Sequence, residues 1–245
     1  MIKEFTCDLH IHTCLSPCGD LDMYPSAIVE KCVSRQLDII AICDHNSSEN
    51  VPYVMEAARG KPITILPGME ITSREEVHII ALFDNMDNLL KLQDIVYGAL
   101  RGMNREEVFG CQPIVNAADE VEGFNDRLLI GATEIPLQES VEAIHKFHGV
   151  AIAAHIDRES FSVIGQLGFI PPEIKFDALE ISCRMELKKA REQYPELSKY
   201  PFLKSSDAHF INDIGKGSTK IFLESPTISE LKMAFEGHGG RHILE

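Results

Sequence analysis

Short apolar runs alternate with longer amphipathic runs along most of the chain. Runs rich in β-branched residues predict strands over Phe5–His12, Leu37–Cys43, Ile63–Leu66, Val77–Phe83, Val150–Ala154, Ala178–Ser182, Phe202–Ser205 and Lys220–Leu223. Helical spacing of apolar residues predicts helices over Pro25–Arg35, Ser48–Ala58, Met86–Leu100, Gln138–Phe147, Met185–Gln193 and Ile228–Glu236. Strand followed by helix, repeated, points to parallel strands covered by helices. The run Leu37-Asp38-Ile39-Ile40-Ala41-Ile42-Cys43 is almost wholly apolar, as a strand buried on both faces must be. Residues 101–137 break the rhythm with short mixed segments, including the turn-like Glu122-Gly123-Phe124-Asn125-Asp126. They read as an insertion or small cap within a single domain spanning 1–245.

Composition narrows the picture. With 245 residues and 44% hydrophobic content, the chain can bury a large core, and α/β barrels of this size are often one domain. There are 38 acidic against 23 basic residues, a formal net charge of −15. That balance argues against long nucleic acid and against an anionic membrane surface, though not against a phosphate met by metal ions. No stretch approaches a membrane span and the N-terminus carries no long apolar segment, so a cytoplasmic location is expected. The seven cysteines are odd in number, and Cys7, Cys43 and Cys183 lie in or beside apolar strand-like runs, which fits reduced thiols. Cys14 and Cys18 flank a Ser-Pro turn beside His12 and read as two loop thiols. A part in metal binding or a redox switch is the alternative.

The chemistry gathers at strand ends. His10 and His12 alternate on the first strand, so both imidazoles face one side. The second strand runs into Asp44-His45-Asn46, the third into Gly68-Met69-Glu70, and the next opens on Val77-His78. Val150–Ala154 runs into His155-Ile156-Asp157-Arg158, and a late strand into Ser206-Asp207-Ala208-His209. All but His78 follow an apolar run at its C-terminal end, where barrel enzymes place their chemistry. Six histidines with Glu70, Asp207 and Asp20 exceed what one ion takes, since zinc uses about four ligands. Two or three ions are therefore implied, and a carboxylate such as Glu70 can bridge two of them. Paired ions about 3.5–4 Å apart are typical of phosphate-ester and peptide hydrolases.

The motifs Asp8-Leu9-His10-Ile11-His12-Thr13, Cys43-Asp44-His45-Asn46, Gly68-Met69-Glu70, Ala154-His155 and Ser206-Asp207-Ala208-His209 occur in the order of the polymerase and histidinol phosphatase (PHP) superfamily, which the chain resembles. The resemblance implies a distorted (β/α)7 TIM-like barrel with three divalent ions, zinc, manganese or iron. It implies one ion on His10, His12, Glu70 and Asp207, and a second sharing Glu70 with His78 and His155. A third would sit on His45, His209 and a loop ligand, taken as Asp20 with Asp22 as its rival. Resemblance also implies that Arg158 binds phosphate, as a guanidinium fork suits two phosphate oxygens. Pairing of Arg158 with Asp157 or Glu159 is the alternative.

The expected reaction is hydrolysis of a small phosphate ester, a phosphomonoester or nucleotide, with short oligonucleotides also open. Asp207, Arg158 and His209 are the expected catalytic residues, with His209 or a metal-bound water as the donor to the leaving group. Two other functions compete. Amidohydrolase-type chemistry on a carbon centre shares the His-x-His strand but usually bridges its ions with a lysine where this chain has Glu70. A non-catalytic PHP module would usually have lost ligands. Outside the cluster, His145 and His148 suit a helix end. His238 and His242 lie in a glycine-rich tail, and Lys216 lies in a loop without P-loop spacing. Asp44 reads equally as a turn cap or as a carboxylate that orients an imidazole.

Overall fold

Every predicted strand forms, and together they make one mixed, nearly closed sheet in the computed structural model, which describes residues 1–244. The elements run β1 (Lys3–Ile11), α1 (Pro25–Ser34), β2 (Ile39–Ile42), α2 (Val51–Ala57), β3 (Thr64–Thr72), β4 (His78–Leu82), α3 (Met86–Ala99), α4 (Glu106–Phe109), β5 (Pro113–Val115) and β6 (Val121–Phe124). They continue α5 (Leu137–Lys146), β7 (Val150–Ala153), α6 (Val163–Leu167), β8 (Ala178–Ile181), α7 (Leu187–Gln193), a 3-10 turn (Pro195–Leu197), β9 (Phe202–Lys204), β10 (Thr219–Leu223), α8 (Ile228–Phe235) and β11 (His242–Leu244). The order across the sheet is β11-β10-β1-β2-β3-β4-β7-β8-β9. Among the described residues, no helix is long and apolar enough to cross a membrane.

The expected barrel is distorted in a specific way. Strands β1, β2 and β3 are parallel, as are β7, β8 and β9, but β4 runs antiparallel to both β3 and β7. Closure comes at β1. Its first half pairs with β10, while its second half meets the chain after β9. There His12 N donates to the Ala208 carbonyl at 3.0 Å and Ser206 N donates to Asp8 Oδ1 at 2.9 Å.

Alternation sorts the side chains. Cys7, Leu9, Ile39, Ala41, Ile80 and Ile152 fill the barrel interior, and Ile228, Leu231 and Ala234 of α8 join that cluster. Ile40, Ile42, Ile79 and Ala81 face outward onto the helices, meeting Leu89, Leu92 and Val96 of α3. Each such aliphatic side chain contributes about 1.5–3 kcal/mol on full burial. One irregularity sets the direction of the site. Between Asp8↔Ile40 and Ile11↔Ile42, β1 advances one residue more than β2. This is a bulge, which bends a strand and re-aims the side chains beyond it. Leu9 lies inside before it, and His10 and His12 lie inside after it.

Residues 101–137 supply α4, the β5–β6 hairpin and connecting loops. They are strapped to the barrel rim by amides. Asn46 Nδ2 donates to the carbonyls of Leu129 and Gly131, both at 2.8 Å, while Asn50 Nδ2 donates to Pro113 O at 3.2 Å. Tyr97 of α3 bonds Ser47 and Asn125.

Candidate metal centre

The antiparallel course of β4 explains why His78 opens a strand where its partners close theirs. The beginning of β4 lies against the end of β3, with Thr72 paired to His78 and Glu70 to Ile80. Paired residues and those two apart share a face. Glu70 and His78 therefore point the same way, into the barrel mouth. Three rim residues adopt an unusual backbone conformation. Asn46 (φ 51°), His155 (φ 30°) and Asp207 (φ 49°) all occupy the left-handed region that non-glycine residues avoid.

Glu70 is the hub. Its Oε1 lies 2.9 Å from His78 Nδ1 and 3.3 Å from both His10 Nε2 and His155 Nε2. Its Oε2 lies 2.9 Å from His45 Nδ1 and 3.5 Å from His12 Nε2. Asp207 Oδ1 approaches His12 Nε2 at 3.1 Å and His10 Nε2 at 3.3 Å, and the two Nε2 atoms are 3.0 Å apart. His10, His12, His45, Glu70, His78, His155 and Asp207 are all buried.

The surrounding hydrogen bonds fix which nitrogens carry lone pairs. His10 Nδ1 donates to Glu180 Oε1 at 3.0 Å, leaving Nε2 as its inward atom. Ser16 Oγ donates to Asp44 Oδ1 at 2.7 Å, so its oxygen accepts from His12 Nδ1 at 2.9 Å. Asp44 also takes the Thr13 amide and hydroxyl, and so caps the turn and orients His12 through Ser16. His209 Nδ1 bonds the Asp207 carbonyl oxygen at 2.9 Å, which frees its Nε2. Lone pairs and carboxylate oxygens thus converge with few protons among them.

Such a crowd demands positive charge. Burial works against a charged His10 ring, yet Glu180, Asp207 and Glu70 together hold its pKa well above that of an ordinary histidine. Burial likewise opposes ionised Glu70 and Asp207. The imidazoles His78, His10 and His45 nevertheless hold Glu70 well below the usual carboxylate range, and His10 and His12 do so for Asp207. Burial and the nearby His209 drive His12 the other way, well below an ordinary histidine. Three atoms test the fit of a cation directly. His45 Nδ1, His78 Nδ1 and Glu70 Oε2 are buried and make no well-aligned hydrogen bond despite the 2.9 Å approaches of both imidazoles to Glu70, and they belong to one convergent group that could hold an ion. Two further groups, His10-His12-Glu70 and His12-His45-His209, meet the same requirement. The donors are imidazole and carboxylate, which suit zinc, manganese or iron.

The loop after β1 holds a residue other than the expected one against the outer histidines. Asp20 Oδ1 accepts from the Asp22 amide at 2.9 Å, and Asp22 itself is exposed. Cys18 Sγ instead lies 3.2 Å from His45 Nε2. Cys18 is exposed as a residue; partial burial of its sulfur pushes the thiol up, but hydrogen bonds with His209 and His45 outweigh it and lower the pKa to about 6. Glu180 is absent from the residues singled out by sequence; its one signal is a lone acid inside the apolar strand Ala178-Leu179-Glu180-Ile181.

Arg158 pairs with neither sequence neighbour. Its Nη1 lies 2.6 Å from Asp207 Oδ2, while Asp157 takes the Ser182 amide and hydroxyl. The Arg158 side chain is 44% exposed and lines an open cavity of about 570 Å³ with His78, His155, Phe161, Ser182 and Arg184. The remaining histidines stay apart from this cluster. His145 pairs with Asp177 at 2.9 Å, and His242 stacks on Phe222. Lys216 pairs with Asp213.

This barrel, with its rim of histidines and carboxylates, has the architecture of a PHP-type protein. The PHP domain family matches residues 8–159, and the chain belongs to that family. It is 22% identical to the uncharacterized protein YqxK of Bacillus subtilis, an alignment that takes in 99% of this chain and 65% of that protein. It is 23% identical to the 5'-3' exoribonuclease Rnm of Escherichia coli over 82% of this chain and 84% of that one. The fold is similar to the lesion-specific endonuclease EndoQ of Pyrococcus furiosus, with a TM-score of 0.74 and 17% identity over 98% of this chain. The chain spans 58% of EndoQ and just under two thirds of YqxK.

Proposed function

We propose that this chain hydrolyses phosphate esters with divalent metal ions held by the rim cluster. The observation that carries the reading is the convergence of five imidazoles on the two buried oxygens of Glu70, with three side-chain groups there each able to hold an ion. His10, His12, Glu70 and Asp207 would hold one ion, and Glu70, His78 and His155 a second. A third would lie on the outer pair, His45 and His209. Bound ions supply Lewis acidity and make an attacking water more acidic. The chain's own residues do the rest. Arg158 faces the cavity and orients the non-bridging phosphate oxygens, and Asp207 Oδ2 sets where its fork can reach. The His209 Nδ1 is committed to the Asp207 carbonyl, so its Nε2 is the atom that would meet an ion or a leaving group.

The substrate proposed is a phosphomonoester, a nucleotide or a short oligonucleotide. Long nucleic acid, disfavoured by the net charge, is no longer set aside. EndoQ, which has this fold, is known in complex with a 27-mer duplex substrate. The net charge of −15 acts at long range, whereas metal ions and Arg158 meet the phosphate at contact.

Metal-reconstituted protein assayed on a phosphomonoester, a phosphodiester, a lactone and a 5'-phosphorylated oligonucleotide tests the reading. Turnover on at least one phosphate ester, lost in His10→Ala and Asp207→Ala while the circular dichroism spectrum is kept, is expected. Undiminished turnover after metal depletion would sink it.

A further inference from the structure

We propose that the Cys18 sulfur is a metal ligand, completing with His45 Nε2 and His209 Nε2 the outermost position of the cluster. The inference rests on the reading of the rim as a metal centre and names a ligand that reading lacks.

Ligand arithmetic comes first. His12 stands in two of the convergent groups, but it has one inward nitrogen. That Nε2 is already placed among His10 Nε2, Asp207 Oδ1 and Glu70 Oε2, at 3.0, 3.1 and 3.5 Å. Assigned there, it leaves His45 and His209 as a bare pair. Two imidazoles are too few, since protein zinc sites use about three or four protein ligands. Among the described residues, Asp20 forms no side-chain contact with His45 or His209, and one of its carboxylate oxygens accepts from the Asp22 amide. Cys18 Sγ stands 3.2 Å from His45 Nε2.

The sulfur is held there by the loop. Gly19 N donates to the Ser16 carbonyl at 2.7 Å, and a Cβ on Gly19 would come within 2.5 Å of the Thr13 carbonyl oxygen. The next residue, Asp20, donates its amide to the His209 carbonyl at 2.8 Å, which ties the loop to the strand end bearing the other ligand. A glycine beside the cysteine thus makes the close turn, and the following amide sets the distance. Four of the other cysteines have no comparable neighbours. Cys7, Cys32 and Cys43 are buried among apolar residues, and Cys14 takes the amide of Asn50.

On binding, the thiol releases its proton to solvent and the sulfur lone pair forms the metal bond. A thiolate with two imidazoles is softer than the imidazole–carboxylate set around Glu70. The outer position would therefore prefer zinc or cobalt over manganese or magnesium, and the two regions of the centre would differ in metal preference.

Cobalt(II) titration of the purified chain tests this without any turnover. Wild-type protein is expected to develop a thiolate-to-cobalt charge-transfer band in the near ultraviolet. Cys18→Ser is expected to lose the band and about one ion per chain, while Cys111→Ser keeps both. Cobalt uptake with no such band, or a band that persists in Cys18→Ser, overturns the thiolate ligand and leaves the inner centre standing. No uptake at all overturns the metal reading of the whole rim. If Cys18→Ser does not fold, peptide mass mapping of wild-type protein reads the same question. Zinc should protect Cys18 from iodoacetamide while Cys111 and Cys183 still react, and equal alkylation of Cys18 with and without zinc overturns the proposal.

Discussion

Three of the inward histidines, His10, His12 and His209, are fixed by a partner on the other ring nitrogen, and this gives individual residues predictable weight. Glu180 holds His10 Nδ1 at 3.0 Å and also takes the His155 amide at 3.2 Å, so one acid orients two ligands. Glu180→Gln keeps the shape but weakens the hold on the proton. It is expected to lower metal affinity or turnover by about 10–100-fold, read by competition with a chromogenic chelator and by steady-state rates. Arg158 is half-exposed and pairs with Asp207. Charge-assisted bonds contribute about 1.5–3 kcal/mol, so Arg158→Ala should raise KM for a phosphomonoester about 10–100-fold. The melting temperature should hardly change. An unaltered KM would remove Arg158 from the phosphate site. At this scale much is legible in the sequence, because histidines and acids at strand ends announce themselves. Glu180 does not, and Cys18 is raised only as the lesser alternative to a plain loop thiol, since what each side chain meets depends on a strand far away along the chain and on loop closure.

Elements decide which way those residues face. The alternation of His10 and His12 is readable, but not the bulge in β1 that turns them inward, because a bulge is defined only against the neighbouring strand. The direction of β4 is hidden for the same reason: an apolar run has no arrow. Close approach of β2 and β3 is a further element-level requirement. A Cβ on Gly68 would meet the Ile42 carbonyl oxygen at 2.8 Å and Cys43 Sγ at 2.9 Å. Gly68→Ala should therefore push β3 off β2, cost about 1–3 kcal/mol in urea unfolding and displace Glu70. Metal retention should fall in parallel. A variant as stable as wild type would show that the two strands yield freely.

Across the whole molecule, the strand–helix alternation leads directly to the barrel, because burial on both faces leaves apolar runs that can be read. The short elements of residues 101–137 cannot be read this way, as they are held by amide bonds from Asn46 and Asn50 rather than by a periodic apolar face. The rim cluster joins residues from β1, β2, β3, β4, β7 and β9 or from the loops after them, so an ion there ties the barrel wall together. Metal loading is expected to raise the melting temperature. At a free ion concentration about a thousandfold above Kd the stabilisation is about 4 kcal/mol, and chelator should reverse it in differential scanning fluorimetry. Identical melting with and without chelator would disconnect the cluster from metal.

The β3–β4 hairpin has one more consequence. Thr72 opposite His78 fixes a register in which Glu70 and His78 share a face. Sliding β4 by one residue would present Val77 or Ile79 to the ions and turn the histidine toward the helices. Sliding it by two would return the next side chain but one, displaced by about 7 Å along the rim. The separation between the glutamate and the histidine therefore obeys a parity rule, so that in a designed or diverged version of this barrel odd and even slips of the hairpin have opposite outcomes.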